Sequence, residues 1–180
     1  MNNIPFPRSY WVVPDQLLAG YFPGSKDPVQ ESANMEGLIN AGIRHVINLM
    51  EEDELDHQGK PFRPYQERFK DLAALKGIDV TWERMPIRDV SVPSKNMMVR
   101  ILDRIDQALA QQRPVYVHCW GGKGRTGTVV GCYLVRHGIA EGKAAMKAIQ
   151  EMRRNDPKAH EASPETREQC DFLLRWKLQE

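Results

Sequence analysis

The sequence predicts an α/β fold in which a mainly parallel central sheet is flanked by helices on both faces. Three short segments, at 43–49, 78–85 and 115–118, are predicted strands, and the first has the β-branched character of a buried strand. Amphipathic helical patterns separate them, as right-handed crossovers between parallel strands require. The 180 residues contain neither an internal repeat nor a Gly/Ser-rich linker, so we expect residues 1–180 to form one domain.

In the first half of the chain, turn and cap residues delimit the elements. Pro14-Asp15 predicts the turn of an opening hairpin between residues 10–13 and 16–20. Acidic residues at 51–56 are expected to form a solvated loop. Two helices are predicted from their apolar spacing and a glycine stop, at 32–41 before Gly42 and at 64–76 before Gly77.

In the second half, helices predominate. Ser94 is a predicted N-cap for a helix whose apolar face recurs from Met97 to Leu109. Further helices are expected at 125–137 and 141–154. The last is predicted to begin at Ser163-Pro164, a capping residue followed by proline, and to reach Lys177.

Composition excludes several classes of protein. Lys plus Arg number 25 and Asp plus Glu 24, a net charge of +1, so an overall electrostatic grip on nucleic acid is not expected. No apolar run has the length of a membrane span, and the N-terminus lacks a secretory signal pattern. Three cysteines, Cys119, Cys132 and Cys170, indicate thiols in a reducing compartment. We therefore expect a cytoplasmic protein.

The segment His118–Gly127, HCWGGKGRTG, is the most informative in the sequence, and we call it the signature loop. It follows a predicted strand and leads into a predicted helix. Its glycines allow a tight turn with N–H groups directed inward, and the positive end of the helix adds to an anion site. The same setting favours the thiolate form of Cys119, while Arg125 can form paired hydrogen bonds with phosphate oxygens. These residues together indicate phosphoryl transfer through a cysteinyl-phosphate.

HCWGGKGRTG resembles the His-Cys-(five residues)-Arg-Ser/Thr signature of the cysteine-dependent tyrosine and dual-specificity phosphatases. Its Trp-Gly-Gly filling is most similar to the kinase-associated phosphatase type and its bacterial relatives. The resemblance implies a dual-specificity phosphatase-like fold, no cofactor and no catalytic metal, with His118 supporting the surroundings of the cysteine. It also implies a phosphate-binding set made of the loop residues Trp120, Gly121, Gly122, Lys123, Gly124 and Arg125.

An acid is needed to protonate the leaving group, and the resemblance places it on a loop upstream of the cysteine. Asp89 lies 30 residues before Cys119, between a predicted strand and the helix capped by Ser94. The end of a parallel strand brings it to the same edge of the sheet as Cys119. We therefore expect Asp89, on the acid loop 86–94, to act as acid and then as base. The resemblance further implies that the Thr126 hydroxyl donates to the sulfur of Cys119.

The substrate stays open at this stage. A phosphorylated protein or peptide is the leading expectation, because Trp120 beside the cysteine suits a pocket for a phosphoamino acid. Lys123 is also found at this position in lipid phosphatases, so a phosphoinositide or inositol phosphate is the alternative. A weakly catalytic, phosphate-binding pseudophosphatase is a third. No role can be assigned to Glu165 or Gln169 from the sequence.

Overall fold

The computed structural model describes residues 4–178, in which five strands form one sheet in the order β1-β2-β5-β3-β4. The strands are β1 Ser9–Val13, β2 Leu17–Gly20, β3 His45–Asn48, β4 Thr81–Arg84 and β5 Val115–His118. The β1–β2 hairpin is antiparallel, and the pairs β2–β5, β5–β3 and β3–β4 are parallel. The predicted α/β architecture with a mainly parallel sheet is thereby confirmed.

Six helices in the same described residues cover the two faces of the sheet. They are α1 Pro28–Asn40, α2 Gln66–Leu75, α3 Lys95–Ala110, α4 Arg125–Arg136, α5 Gly142–Met152 and α6 Arg167–Arg175. Apolar residues of α1 and α2 share one buried cluster with Val46 and Tyr116, whereas α3 to α6 share another with Ile47 and Val117. Alternate residues of β3 and β5 thus face opposite layers, as the pleat requires. From residue 4 to 178, no helix has the length and apolar character to cross a membrane.

The structure corrects two predicted helix starts. α1 begins at Pro28, earlier than predicted, because the Asp27 side chain accepts from the N–H of Val29 and proline occupies the first helical position. α6 begins at Arg167 rather than at Ser163-Pro164, whose peptide bond is cis and lies before the helix. Its cap is Thr166, which forms a reciprocal capping box with Gln169.

The order of the strands determines where the following loops meet. β3, β5 and β4 run in the same direction, so their carboxyl ends at Asn48, His118 and Arg84 lie along one edge. The loops that leave these strands carry the acidic run 51–56, the signature loop and the acid loop, respectively. A site at the carboxyl edge of the sheet follows directly from this topology.

Candidate active site

The Cys119 sulfur lies at the base of the signature loop, directly after β5. Cys119 is buried, with 2% of its surface exposed. The Thr126 hydroxyl, in the first turn of α4, donates to the sulfur at 3.1 Å. α4 begins at Arg125, so the helix N-terminus faces the loop that carries the cysteine. The structure therefore brings together Cys119 and Thr126 as the sequence predicts.

Arg125 is buried under the loops that follow β3 and β4, with 1% of its side chain exposed. Its Nη1 and Nη2 atoms donate to the two carboxylate oxygens of Glu54 at 2.6 and 2.8 Å, and Nη1 also donates to the carbonyl of Ile87. Burial on its own lowers the pKa of Arg125, but the hydrogen bonds to Glu54 and nearby negative charge outweigh it and raise the pKa. The guanidinium is therefore charged and fixed in orientation.

Glu54 is a site residue that sequence reasoning missed. The acidic run 51–56 was expected to be a solvated loop, and for Glu54 that expectation is wrong, since 8% of its side chain is exposed. Among side chains, only a carboxylate supplies both the charge and the planar pair of acceptors that such a bidentate pair with arginine requires. The single acidic run gave no signal that distinguished Glu54 from its exposed neighbours Glu52 and Asp53.

Asp89 lies on the acid loop with its carboxylate directed at Arg125. Its Oδ1 atom is 2.8 Å from Nη2 of the arginine, and 45% of the side chain is exposed. The next residue, Val90, has a φ of 52°, a conformation that is unfavourable for a β-branched residue. Gln169 of α6 donates to the carbonyl of Ser91 at 3.1 Å. The acid loop is thus closed over the site and tied to the last helix.

His118 connects the signature loop to the interior. Its Nδ1 donates to the carbonyl of Cys119 at 3.0 Å, which leaves Nε2 to accept from the hydroxyl of Tyr65. Trp82 Nε1 donates to the same hydroxyl at 3.0 Å. Burial lowers the pKa of His118 to about 3, so the ring is neutral at physiological pH. The histidine holds the loop and carries no charge.

Main-chain carbonyls of the signature loop are bonded from outside the loop. The N–H of Phe22 donates to the carbonyl of Trp120 at 3.0 Å, and the Ser163 hydroxyl donates to that of Lys123 at 2.8 Å. Arg8 donates to the carbonyl of Gly121. Carbonyls held outward leave the amide groups of the same peptides directed inward. Arg8 and Ser163 lie far from the loop in sequence, and nothing in the sequence indicated them.

Gly122 is a glycine for steric reasons, and the space around Gly124 is also limited. Gly122 has a φ of 71°, and a Cβ there would lie 2.6 Å from the backbone of Gly20 and Tyr21. A Cβ on Gly124 would lie 3.0 to 3.1 Å from the side chains of Glu165 and Gln169. At Gly122 the loop therefore packs against the end of β2 more tightly than any side chain allows, whereas at Gly124 the neighbouring side-chain ends would have to give way.

Lys123 is paired rather than free. Its ammonium donates to Glu161 at 2.6 Å and lies 2.8 Å from Glu165. Burial lowers the pKa of Lys123, but these hydrogen bonds outweigh it and raise the pKa. The same hydrogen bond lowers the pKa of Glu161 to about 2. Glu165, unassigned from sequence, is thus part of an ion cluster beside the signature loop.

A cleft of about 510 Å³ adjoins the signature loop. It is lined by aromatic rings, by charged side chains and by the acid loop: Arg8, Tyr21, Phe22, Gly24, His57, Asp89, Val90, Trp120, Gly121, Lys123, Lys158 and Glu165. The Trp120 ring packs against His57 and Phe62, with centroid distances of 4.3 and 5.1 Å. The mixture of aromatic wall and charge suits a phosphate carried on a planar or apolar group.

Comparison with solved structures shows a shared fold. The kinase associated phosphatase (KAP) superposes with a TM-score of 0.68 at 20% identity, covering 96% of this chain and 94% of that one. PTPMT1 in complex with PI(5)P gives 0.66 at 18% identity, covering 94% of each chain. Tk-PTP in the active form gives 0.62 at 24% identity, covering 93% and 95%.

Curated relatives are similar over part of their length. Human dual specificity protein phosphatase 9 is 30% identical over 124 residues, 68% of this chain and 27% of that protein. Mouse dual specificity protein phosphatase CDC14B is 39% identical over 127 residues, 71% of this chain and 24% of that protein. The chain thus spans about a quarter of the length of these two relatives.

The family comparison covers nearly all of the described chain. Residues 7–173 match the family described as PTP-SAK, Swiss Army Knife protein, DSP-PTPase phosphatase domain. The match includes the signature loop, the acid loop and both layers of helices. The chain belongs to this family of dual-specificity-type phosphatase domains.

Proposed function

We propose that the protein hydrolyses phosphomonoesters through a cysteinyl-phosphate intermediate, with phosphorylated protein or peptide as its substrate. Cys119 is the nucleophile, Arg125 and the loop amides hold the phosphate, and Asp89 is the acid and base. Thr126 and His118 support the cysteine. The phosphate is bound by Arg125 together with the signature-loop residues Trp120, Gly121, Gly122, Lys123 and Gly124.

One observation carries this proposal. The Nε atom of Arg125 is buried and has no hydrogen-bond partner anywhere in residues 4–178, although Nη1 and Nη2 are bonded. A buried donor without a partner is energetically costly, and an acceptor that arrives with the ligand would satisfy it. Arg125 lies in the first turn of α4, at the end of the loop that begins with Cys119, and a phosphate oxygen is the acceptor that fits there.

In the first step, the thiolate of Cys119 attacks phosphorus, the S–P bond forms and the bond to the ester oxygen breaks. Asp89 supplies the proton to that oxygen, so that the alcohol leaves neutral. Charge on the transferring phosphoryl group is stabilised by Arg125 and by the inward amides. The carboxylate of Glu54 keeps the guanidinium in the orientation that this requires.

In the second step, water attacks the phosphorus of the cysteinyl-phosphate, the S–P bond breaks and inorganic phosphate leaves. Asp89, now a carboxylate, accepts the proton of the water. The Thr126 hydroxyl, 3.1 Å from the sulfur, stabilises the departing thiolate by donating to it. The cycle returns every group to its starting state without a cofactor.

The test is hydrolysis of two aryl phosphates by reduced protein without added metal. Cys119→Ser should abolish turnover, and Asp89→Asn should lower kcat by about 10²- to 10³-fold. Phenyl phosphate has a poorer leaving group than p-nitrophenyl phosphate, so the loss in Asp89→Asn should be larger for phenyl phosphate. That difference identifies Asp89 as the acid rather than as a structural residue.

Matched controls are Cys170→Ser and Asp71→Asn, which make the same chemical changes outside the site and should leave kcat unchanged. A wild-type protein that binds inorganic phosphate without hydrolysing either ester would contradict the proposal in favour of a pseudophosphatase. Retained turnover in Cys119→Ser would contradict the assignment of Cys119 as the nucleophile.

The preference for protein substrates is supported by the pairing of Lys123. An extra cation would favour a substrate with more than one phosphate, but the charge of Lys123 is already balanced by Glu161 and Glu165. Aromatic rings of Tyr21, Phe22 and Trp120 line the cleft instead. Such a wall favours a phosphoester on an aromatic or apolar side chain.

A phosphoinositide is the second candidate. Arg8 and Lys158 line the cleft, and PTPMT1, a structural neighbour, was solved in complex with PI(5)P. We expect kcat/KM for a phosphotyrosine peptide to exceed that for short-chain PI(5)P. A higher kcat/KM for short-chain PI(5)P would identify the lipid as the preferred substrate. Glu161→Gln should raise the relative activity toward a bisphosphorylated substrate, because it removes one of the two carboxylates that balance the charge of Lys123.

A further inference from the structure

The peptide between Gly121 and Gly122 is the least restricted of the signature loop. Glycine on both sides leaves its orientation open to rotation, because neither residue has a Cβ that limits the backbone. Yet the peptide has to keep one orientation for the Gly122 N–H to face a bound phosphate. In a trans peptide the carbonyl and the N–H point in opposite directions, so whatever holds the Gly121 carbonyl outward holds that N–H inward.

The group that holds this carbonyl is Arg8, 113 residues away in sequence. Its Nη2 donates to the Gly121 oxygen at 2.7 Å. The neighbouring carbonyls of Trp120 and Lys123 are held by a backbone N–H and a serine hydroxyl. At Gly121 the donor is a charged guanidinium, which forms a stronger hydrogen bond than a neutral group.

Arg8 is itself held in place from several directions. Its guanidinium lies over the Tyr21 ring at 4.6 Å from the centroid, and Nε is 3.9 Å from the buried carboxylate of Asp156. The Arg8 backbone has a φ of 66°, a conformation that is uncommon for residues other than glycine. With 23% of the side chain exposed, the arginine is packed between the loop and the 153–165 segment rather than extended into solvent.

We propose that Arg8 is a positioning residue for phosphate binding, acting through the Gly121 carbonyl to direct the Gly122 N–H at the phosphate. This inference rests on the proposed function, since it assigns the signature loop to a phosphate. It adds a residue outside the signature and acid loops to the machinery. Arg8 does not touch the reacting atoms.

The experiment compares Arg8→Met and Arg8→Lys in the full chain, with p-nitrophenyl phosphate as substrate and inorganic phosphate as inhibitor. Removing a direct donor from an anion hole lowers kcat by about 10²- to 10³-fold, so loss of the residue that orients one should cost about 10-fold or more. Arg8→Met should also weaken inhibition by inorganic phosphate about 10-fold. Arg8→Lys should recover part of both, because the ammonium keeps one charged donor.

A matched control is Arg100→Met, which removes an exposed arginine on α3 and should change neither constant. Urea unfolding of each variant separates loss of folded protein from loss of orientation. Equal kcat and equal phosphate inhibition in Arg8→Met and wild type would overturn the inference. So would an Arg8→Lys variant that folds like wild type but is no better than Arg8→Met.

A binding measurement keeps this test distinct from that of the proposed function. Calorimetric titration with inorganic phosphate is made in the Cys119→Ser background, with and without Arg8→Met. About 10-fold weaker binding in the double variant supports the role of Arg8 even if the wild type turns over no ester. Equal binding in both, together with an active wild type, would exclude Arg8 from the phosphate-binding machinery and leave the proposed function standing. If Arg8→Met does not fold, phosphate binding is compared between Arg8→Lys and wild type. Weaker binding in Arg8→Lys supports the inference, and equal binding overturns it.

Discussion

The signature loop and the residues that hold it differ in how they are encoded. The loop is contiguous, from His118 to Gly127, and brings nucleophile, amides and guanidinium together through one strand–loop–helix unit. Its holders come from separate segments, and we call them the collar: Arg8, Phe22, Glu54 and Ser163. Local sequence supplies the reacting groups, and tertiary structure supplies their orientation.

The two cations of the loop differ in their surroundings. Arg125 and Lys123 both pair with carboxylates from distant segments. Arg125 keeps a buried donor, Nε, without a partner in the described part of the chain, whereas the single ammonium of Lys123 is shared between Glu161 and Glu165. The surroundings therefore leave Arg125 one buried donor, Nε, for the substrate, and hold the ammonium of Lys123 toward two carboxylates.

Among changes that leave the reacting groups in place, the largest effect is expected where the signature loop packs against the end of β2 without space. Gly122→Ala places a Cβ 2.6 Å from the backbone of Gly20 and Tyr21, which cannot move aside as a side chain can. We expect kcat to fall about 10³-fold or more, since the loop must shift and anion-binding amides are lost. Steady-state kinetics with p-nitrophenyl phosphate measures this loss.

The control for this change is Gly77→Ala. Gly77 has a similar φ of 68°, but a Cβ there meets no heavy atom of the described residues within 4 Å. It should cost about 1 kcal/mol of stability from the left-handed conformation alone and leave kcat unchanged. If Gly122→Ala keeps wild-type kcat, the tight contact between the loop and the end of β2 has no functional consequence.

A smaller effect is expected from the collar. Glu54→Gln removes the charge that faces the Arg125 guanidinium and replaces one acceptor with a donor. We expect kcat to fall about 10- to 100-fold, because a partly misoriented guanidinium loses part of its stabilisation of the transferring phosphoryl group. Breaking a buried pair should also lower the free energy of unfolding, by about 3 kcal/mol.

Glu52→Gln is the matched control, because it makes the same change on an exposed residue two positions earlier. It should alter neither kcat nor the midpoint of urea unfolding. Equal activity in Glu54→Gln and Glu52→Gln would show that the loop orients Arg125 without the collar.

The sequence could predict the fold class and the residues of the loop, because both depend on local patterns. Short apolar strands between amphipathic helices specify a parallel sheet, and the carboxyl-edge rule then brings Asp89 toward Cys119. The ends of the helices were harder to predict from the sequence. Thr166 and Gln169 form a capping box just after Ser163-Pro164. Because proline is common at the first helical position, the sequence favours Ser163-Pro164 as the start of the helix instead.

The collar could not be predicted, for a physical reason. Glu54 is one of several acids in its run, and only its burial against Arg125 distinguishes it. Arg8 reaches the loop across 113 residues because β1 and β2 bring the N-terminus beside β5. Such contacts depend on sheet order and loop paths, which a single sequence does not specify.

His118 links the signature loop to the interior, and the smallest effect on activity is expected there. Its neutral ring links the Cys119 carbonyl to the hydroxyl of Tyr65, which also accepts from Trp82. His118→Asn keeps a donor toward the Cys119 carbonyl and loses the bond to Tyr65. We expect kcat to fall by no more than about 10-fold, because neither the His118 ring nor the Tyr65 hydroxyl touches the phosphate site directly.

The pH dependence of stability tests the neutral state of His118. Burial lowers its pKa from 6.5 to about 3, so between these values the unfolded chain binds a proton that the folded chain does not. The stability that depends on a neutral ring is therefore complete above pH 6.5 and lost as pH falls toward 3. His118→Asn has no such proton, so the stability difference between wild type and variant should shrink by about 2 kcal/mol from pH 8 to pH 5. Urea unfolding at several pH values measures it. A difference independent of pH would mean that the histidine titrates normally and that the loop meets solvent rather than a dry interior.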